Sequence, residues 1–443
     1  MRTATPPPTV LPSPPAAADA RVTGFHTSGS TSGAATGTGD RPQPRFALPA
    51  LCVTQITSWG VLYYAFPVLL PHLTAETGWS GTAATGAFSA ALLVSAVVGI
   101  PVGRVLDRRG PRTVMTAGSV LGTASVLAVA AAPDFRVFAG AWLCAGVAMA
   151  GTLYPPAFAA VTRWWGPDHV RGLTILTLAG GLASTVFAPI TAALVEHMSW
   201  RAAYATLAVI LAAVTVPAHA LALRAPWPPA PDAPQATQQP DPKAKPRRPV
   251  ARTRPFVLLT VALTLSACSS FAVVIGIVPL LNERGATSTQ AAWALGLGGL
   301  GQTLGRIFYA PFARRTGVTT RTSVLIAAGG VTTATLAVVP GPVTLLIALA
   351  VGVGMVRGNL TLLHATAVTD RWGTRHYGKL SGILTAPVTV ATGLAPFAGA
   401  ALAGPLGGYP ALFLTLAAVS VLSAVLALGG TPRAPEAGPP CVR

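Results

Sequence analysis

The sequence predicts an all-α membrane protein with twelve transmembrane helices in two pseudo-symmetric six-helix bundles. Of its 443 residues, 52% are hydrophobic and only 9% are charged. A soluble protein carries roughly a quarter charged residues, so this chain can bury its apolar surface only with lipid as its solvent. A second observation is that one half of the chain resembles the other.

The apolar runs match the length of about 20 residues that a spanning helix needs. They occupy residues 48–70, 82–104, 113–132, 136–162, 171–195, 201–223, 256–281, 289–312, 321–339, 342–368, 379–402 and 408–430. The segments between and around the two groups are rich in Pro and small polar residues, which cannot form a packed core. We expect a disordered tail over 1–45, a six-helix half over 46–224, a linker over 225–254, a second half over 255–430 and a disordered tail over 431–443.

The two halves repeat with a constant offset of 207 positions. The shift carries Trp165-Gly166 onto Trp372-Gly373, His169 onto His376, Leu173 onto Leu380, Ala188-Pro189 onto Ala395-Pro396 and Gly110 onto Gly317. Two similar halves predict a pseudo-twofold axis along the membrane normal, with a cavity between the halves.

Positive charge is distributed unevenly along the chain. Of the 30 Lys and Arg residues, 25 lie in the tails and even-numbered connections or at the helix ends beside them. This asymmetry predicts a multi-pass protein of the cell membrane with both termini in the cytoplasm. It explains the net charge of +18 by contact with the lipid bilayer rather than with nucleic acid, because no soluble basic module is present.

Several function classes lack a sequence signal. The four Cys show neither metal-ligand spacing nor a disulfide framework. No phosphate-binding Gly-rich loop with Lys and no catalytic Ser-His-Asp order is present. We therefore expect no enzyme activity, no cofactor and no metal, and we expect a monomer.

Two arginines lie inside predicted helices. All twelve acidic residues fall near helix ends or outside the helices, whereas Arg306 and Arg357 lie within them. An Arg at that depth costs at least about 2.5 kcal/mol unless it faces water or a partner. We expect both guanidinium groups to face a wet central cavity and to bind an anion there. The alternative is that each Arg donates to helix carbonyls or extends to the membrane surface.

Other polar residues of the predicted helices are candidates to contact the same ligand. They are Gln302 beside Arg306, Asn359 in helix 10, Tyr64 in helix 1 and Tyr154 in helix 4, with Gln55 and His364 as weaker candidates. A proton-driven exporter of cationic drugs needs a membrane carboxylate, and these helices contain none.

The connection between helices 2 and 3 carries the pattern Gly-x-x-x-Gly-x-x-x-Asp-Arg-x-Gly-x-Arg over 99–112. It resembles the corresponding loop signature of the major facilitator superfamily; the alternative is an ordinary positive loop. The resemblance implies a conformational latch toward the second half, in which the start of helix 11 near Gly378 offers Asp107 a positive dipole end. The latch residues would be Gly103, Asp107, Arg108, Gly110 and Arg112.

Three further motifs resemble the monocarboxylate and oxalate/formate porter branch of that superfamily. They are Tyr64-Ala65-Phe66-Pro67, Arg163-Trp164-Trp165 with Arg171-Gly172-Leu173, and Arg306 at a fixed distance before the pair Arg314-Arg315. The resemblance implies that Arg306 binds a substrate carboxylate. Val68 and Gln302 stand where animal monocarboxylate carriers place a Lys and an acid, so proton symport is in doubt, and uniport and anion exchange stay open.

Together these observations predict a transporter of a small organic anion, a monocarboxylate in particular, that works by alternating access. One alternative is an exporter of amphiphilic, drug-like compounds, in which the arginines are structural. Another is a non-transporting membrane sensor that keeps the carrier fold, although the Pro-rich tails offer no soluble output domain.

Overall fold

The computed structural model describes residues 44–166, 169–227, 250–372 and 377–430. Nearly all of the predicted N-terminal tail, most of the predicted linker and the predicted C-terminal tail lie outside these residues. So do Gly373 and His376 of the repeat.

Each of the twelve predicted runs corresponds to one helix. The first half contains α1 (Ala47–Thr77), α2 and α3 (81–109 and 111–131 within the segment Gly81–Ala131), α4 (Phe135–Trp165), α5 (His169–His197) and α6 (Trp200–Ala222). The second half contains α7 (Arg254–Glu283), α8 (Ser288–Arg315), α9 (Val318–Val338), α10 (Val343–Thr366), α11 (Tyr377–Leu406) and α12 (Tyr409–Leu428). A short helix, Thr369–Trp372, follows α10.

Ten helical segments in the described ranges are long and apolar enough to cross a membrane. One of them, the 51-residue segment Gly81–Ala131, is long enough to cross twice. It is interrupted at Gly110, whose φ of 76° is not helical. The 28-residue helix α8 completes the set of twelve; its glycines and Arg306 make it less apolar than the others.

The helix ends define two faces of the bundle. We call the face with the α2–α3, α4–α5, α8–α9 and α10–α11 connections the basic end, and the other face the opposite end. Four of the six described helices that begin at the opposite end have a side-chain cap at the N-cap position, which satisfies free backbone N–H groups; α10, which follows Pro342, has none. The capping residues are Ser80, Asp134, Ser199 and Thr287, while the Glu283 carboxylate accepts the backbone N–H of Tyr409 at 3.1 Å.

The two halves are joined at the opposite end and at mid-depth. The Thr185 hydroxyl donates to the Gly296 carbonyl at 2.8 Å, and the Ser89 hydroxyl accepts the backbone N–H of Phe397 at 3.0 Å. Between residues that the structure describes, the hydrogen bonds that cross from one half to the other lie at these levels, and we find none at the basic end. The space between the halves is therefore closed toward the opposite end.

Helices α8 and α10 touch backbone to backbone. A Cβ atom placed on Gly354 would lie 1.9 Å from the Gly298 carbonyl oxygen, and one on Gly305 would lie 2.0 Å from the Met355 carbonyl oxygen. Only glycine permits this approach. The contact brings Arg306, which follows Gly305, beside the helix that carries Arg357.

We predict that Gly354→Ala destabilises the protein, because its methyl group would overlap the α8 backbone. The expected loss is about 1–3 kcal/mol, which is typical of overpacking, and a thermal melt of the detergent-purified protein measures it. Gly352→Ala, on the same helix with open space around its Cα, is the matched control and is expected to melt like the parent protein. Equal melting of both variants would contradict the close contact.

Candidate functional site

A cavity of about 190 Å³ lies between the two halves at mid-depth. Helices α1, α4 and α5 line one side, and α7, α8 and α10 line the other. Five of the six residues predicted to bind the ligand face it, namely Arg306, Arg357, Gln302, Tyr64 and Tyr154. Trp59, Gly180, Ala267, Ser270, Phe271, Leu360, Thr361 and His364 complete the lining.

Arg306 reaches across the cavity from the second half to the first. Its side chain is only 8% exposed, and its Nη1 donates a short hydrogen bond to the Thr177 carbonyl of α5. It also interacts with the Tyr154 hydroxyl. Its Nε is buried and makes no hydrogen bond to a described residue. The alternative of an Arg bonded to helix carbonyls is thus met in part, but the Nε donor has no partner among the described residues.

The carbonyls that receive the α8 side chains come from a break in α5. The N-terminal segment of α5 ends at Gly181 and the C-terminal segment begins at Ala183. At the break, the Leu182 N–H donates to the Ala179 carbonyl at 2.9 Å. The Leu178 carbonyl accepts the Thr303 hydroxyl at 3.4 Å instead. Carbonyls at a helix C-terminus carry partial negative charge, which suits a guanidinium group.

Arg357 lies near the middle of α10, on the side that faces the cavity, and aromatic residues are its neighbours. Its Nη1 donates to the Tyr64 hydroxyl at 3.4 Å, and its guanidinium carbon lies 5.1 Å from the centre of the Phe271 ring. Tyr64 ends a π-helical turn, Gly60–Tyr64, a feature often found at functional sites. Gly60 is needed there because a Cβ atom would lie 2.2 Å from the Phe187 ring.

A break in α4 places Tyr154. The helix is interrupted at Leu153, where ψ is −162°, and Tyr154 begins the C-terminal segment of α4, just before two prolines. The ring of Tyr154 packs 5.2 Å from that of Trp59, and both line the cavity. Gln55, a weaker candidate, donates to the Thr152 carbonyl at 2.7 Å and so holds the break rather than facing the cavity.

Arg357 also borders a second, smaller pocket inside the second half, of about 20 Å³. Six hydroxyl side chains line it: Ser266, Ser269, Ser270, Thr332, Thr333 and Ser420. Thr333 donates to the Gly329 carbonyl at 2.8 Å, and Ser269 and Ser420 both donate to the Leu416 carbonyl. Their lone pairs, rather than their protons, are therefore left for the pocket and for Arg357.

Arg306 and Arg357 give the cavity a positive charge, and the other described residues that line it are neutral and do not cancel that charge. None of the described acidic residues lines it. Asn359, the sixth predicted ligand residue, instead donates to the Met355 carbonyl of its own helix at 3.0 Å. Phe271, Ser270 and Thr361 are cavity residues that sequence reasoning did not single out. Phe271 carries no charge or motif, and only its contact with Arg357 marks it.

The predicted latch residues lie together at the basic end. The Asp107 carboxylate pairs with Arg163 of α4 at 2.8 Å, within the first half, and residues 373–376 just before α11 lie outside the described residues. Arg112 Nε donates to the Ala220 carbonyl of α6 at 2.9 Å. Gly110 provides the turn between α2 and α3, and Gly103 and Arg108 lie in α2, where a Cβ atom on Gly103 would meet no atom within 4 Å.

The second half carries its own charged cluster at the basic end, with an acid at the position that corresponds to Arg163. Asp370 stands 207 positions after Arg163 and forms a short ion pair with Arg321 of α9. Arg371 donates to the Thr322 hydroxyl at 2.7 Å and to the Gly430 carbonyl at 3.1 Å. Burial lowers the pKa of Arg371 to about 10, so the group stays protonated at neutral pH.

Comparison with known families explains this architecture. The sequence profile of the Major Facilitator Superfamily matches residues 51–281 and 259–440. The chain belongs to the major facilitator superfamily. The predicted family and its all-helical membrane fold are thereby confirmed.

Individual relatives of this facilitator-superfamily chain are distant. It is 27% identical over 268 residues to monocarboxylate transporter 13 of Bos taurus, which covers 59% of the chain and 58% of the relative. It is 25% identical over 384 residues to monocarboxylate transporter 13 of Rattus norvegicus, with 82% and 80% covered. A stretch of 131 residues is 30% identical to the uncharacterised transporter YcxA of Bacillus subtilis, with 28% and 31% covered. The chain thus spans about a third of YcxA and somewhat over half of the bovine protein.

Solved structures agree with the superfamily fold. A bacterial homologue of the human lysosomal transporter Spinster, in an inward-facing and occupied conformation, superposes with a TM-score of 0.67 at 14% identity, covering 88% of this chain and 97% of that one. A point mutant of the nucleoside transporter NupG superposes with a TM-score of 0.65 at 14% identity, covering 87% of this chain and 99% of that one. At this identity the likeness concerns the fold alone.

We predict that Asp107→Asn slows transport and leaves substrate binding intact, because the pair with Arg163 lies at the basic end, remote from the cavity. Initial uptake rates in proteoliposomes and binding to the purified protein measure the two effects. Glu76→Gln, an exposed acid of the opposite end that pairs with Arg201, is the control. Unchanged uptake in Asp107→Asn, or lost binding, would contradict the latch role.

Proposed function

We propose that this protein moves a small organic anion, a monocarboxylate in particular, across the membrane by alternating access between its two halves. One observation carries the proposal: Arg306 and Arg357 line the same cavity, and no described carboxylate lines it. A guanidinium group pairs with a carboxylate through two parallel hydrogen bonds. The relatives named monocarboxylate transporter 13 support the same cargo class.

The size of the cavity favours a small cargo. A site for a drug-sized ligand has about 300–1,000 Å³, whereas the central cavity has about 190 Å³. This argues against the alternative of an exporter of amphiphilic, drug-like compounds. The rings of Trp59 and Phe271 offer an apolar surface to the body of the anion.

The five predicted ligand residues that line the cavity have distinct proposed roles. Arg306, with its unused Nε donor, is the main carboxylate ligand, and Arg357 is the second. Gln302 lies one helical turn before Arg306 and provides an amide for a further hydrogen bond. The hydroxyls of Tyr64 and Tyr154, now held by the arginines, become ligand donors when the anion takes their place.

The basic end, which carries most of the positive charge, is proposed to face the cytoplasm of a cell membrane. The described structure is then the state open to the cytoplasm, because the halves meet at the opposite end. Val68 and Gln302 leave the cavity without the charged groups that serve proton coupling in animal monocarboxylate carriers, so uniport or anion exchange is the proposed mode.

We predict that Arg306→Ala lowers carboxylate uptake by about ten- to hundredfold, the loss expected when a charge-assisted hydrogen bond is removed. A thermal-shift screen of formate, acetate, lactate, pyruvate and benzoate selects the acid, and its radiolabelled form is used in proteoliposomes. Arg306→Lys keeps the charge but loses the planar fork, so an intermediate rate is expected.

Arg252→Ala removes an equally positive, exposed side chain outside the cavity and is the matched control. It is expected to transport like the parent protein. Undiminished flux in both Arg306 variants would remove this residue from the site. Failure of every acid to bind or cross would overturn the proposed cargo class.

A further inference from the structure

The chain that follows α6 folds back over the α2–α3 connection. We call residues 223–227 the strap. Leu223 is buried at 1% exposure, and the Trp164 indole N–H donates to the Pro226 carbonyl at 3.2 Å. The strap is the first part of the connection that leads from the first half to the second. It is therefore attached to α4 of the first half before the connection continues.

Trp227, the last residue of the strap, contacts the latch motif at Asp107 and Gly110 and also contacts Arg163, the partner of Asp107. Its indole N–H donates to the Asp107 carbonyl at 3.1 Å. Its ring lies 4.6 Å from the guanidinium carbon of Arg163. A Cβ atom on Gly110 would lie 3.2 Å from the Trp227 side chain, and the φ of 76° at Gly110 also requires glycine.

These contacts surround the Asp107–Arg163 pair. The pair has a donor–acceptor distance of 2.8 Å, with 13% of the Arg163 side chain exposed and 63% of that of Asp107. An exposed ion pair contributes little by itself, because water and ions screen it. A ring stacked on the guanidinium removes water from one partner and adds a cation–π attraction. Trp227 therefore contacts both members of the pair. Its ring stacks on the Arg163 guanidinium group, and its indole N–H donates to the backbone carbonyl of Asp107.

We propose that Trp227 is a positioning residue that holds the Asp107–Arg163 pair inside the first half while the cavity is open to the basic end. Asp107 is then unavailable to the second half. Loosening the strap frees Asp107 and raises the population of the state that is open to the opposite end. This inference uses the proposed latch role of Asp107 and is independent of the cargo.

The test measures which face of the membrane reaches the cavity. Ser270→Cys places a thiol in the cavity lining, in a background without Cys52, Cys144, Cys268 and Cys441. A membrane-impermeant maleimide is applied to one face at a time in intact cells and in inverted vesicles. Trp227→Ala is expected to raise the rate of labelling from the opposite-end face by about threefold or more, since a lost cation–π contact shifts a two-state population by that order.

Matched variants separate a positioning role of Trp227 from a purely structural one. Trp293→Ala removes a Trp of α8 that is 47% exposed and is expected to leave both labelling rates unchanged. Trp227→Phe keeps the stacked ring and is expected to rescue most of the effect. If Trp227→Ala does not fold, Trp227→Leu, which keeps apolar bulk without the ring or N–H, replaces it.

A purely structural role of Trp227 would lower the melting temperature without changing the ratio of the two labelling rates. That result would overturn the proposal, as would equal ratios in Trp227→Leu and the parent. The assay needs no substrate. It therefore gives the same answer whether or not the proposed anion cargo is right.

Discussion

Two guanidinium groups share one cavity inside the membrane, and the groups around them that the structure describes are neutral. Arg306 donates to the Thr177 carbonyl, and Arg357 contacts the Tyr64 hydroxyl and the Phe271 ring. Neutral dipoles hold a positive charge in place without cancelling it, whereas a carboxylate would cancel it. The cavity therefore stays electropositive, and the anion proposal depends on this property.

Breaks in the helices of the first half provide those neutral partners. The π-helical turn of α1 ends at Tyr64, the interruption of α4 at Leu153 is followed by Tyr154, and the break of α5 near Leu182 frees backbone carbonyls. In a membrane, such irregular backbone is tolerated only where protein or a wet cavity satisfies it. The second half contributes the two charges. They lie on α8 and α10, whose backbones are in direct contact.

Much of this arrangement could be predicted from the sequence, because it follows from length and charge. Apolar runs located the helices, and the cost of an intramembrane Arg marked Arg306 and Arg357. The interruptions at Gly60 and Leu182 could not be predicted in this way, because no Pro stands at either position and the apolar run continues through both. Gly110 and Gly317 show the limit of the repeat: the first has a φ of 76°, and the second is an extended cap residue with a φ of −65°.

Side-chain direction was the other unpredictable element. Asn359 is two positions from Arg357, yet it bonds to its own helix, since a shift of two residues turns a side chain about 200° around the helix axis. Phe271 and the hydroxyl pocket belong to helices distant in sequence from the arginines they adjoin. Spacing along one helix indicates which residues share a face, but it does not indicate what that face meets.

Both arginines belong to the second half, whereas the oxygen atoms that they contact belong to the first. The proposed anion would therefore compete with the protein's own acceptors as it binds, and these acceptors would replace it as it leaves. Any dissociation constant measured for such a ligand is a difference between two competing sets of bonds. A tightly held internal acceptor would thus keep affinity modest and release fast, which suits a protein that must let go of its cargo on every cycle.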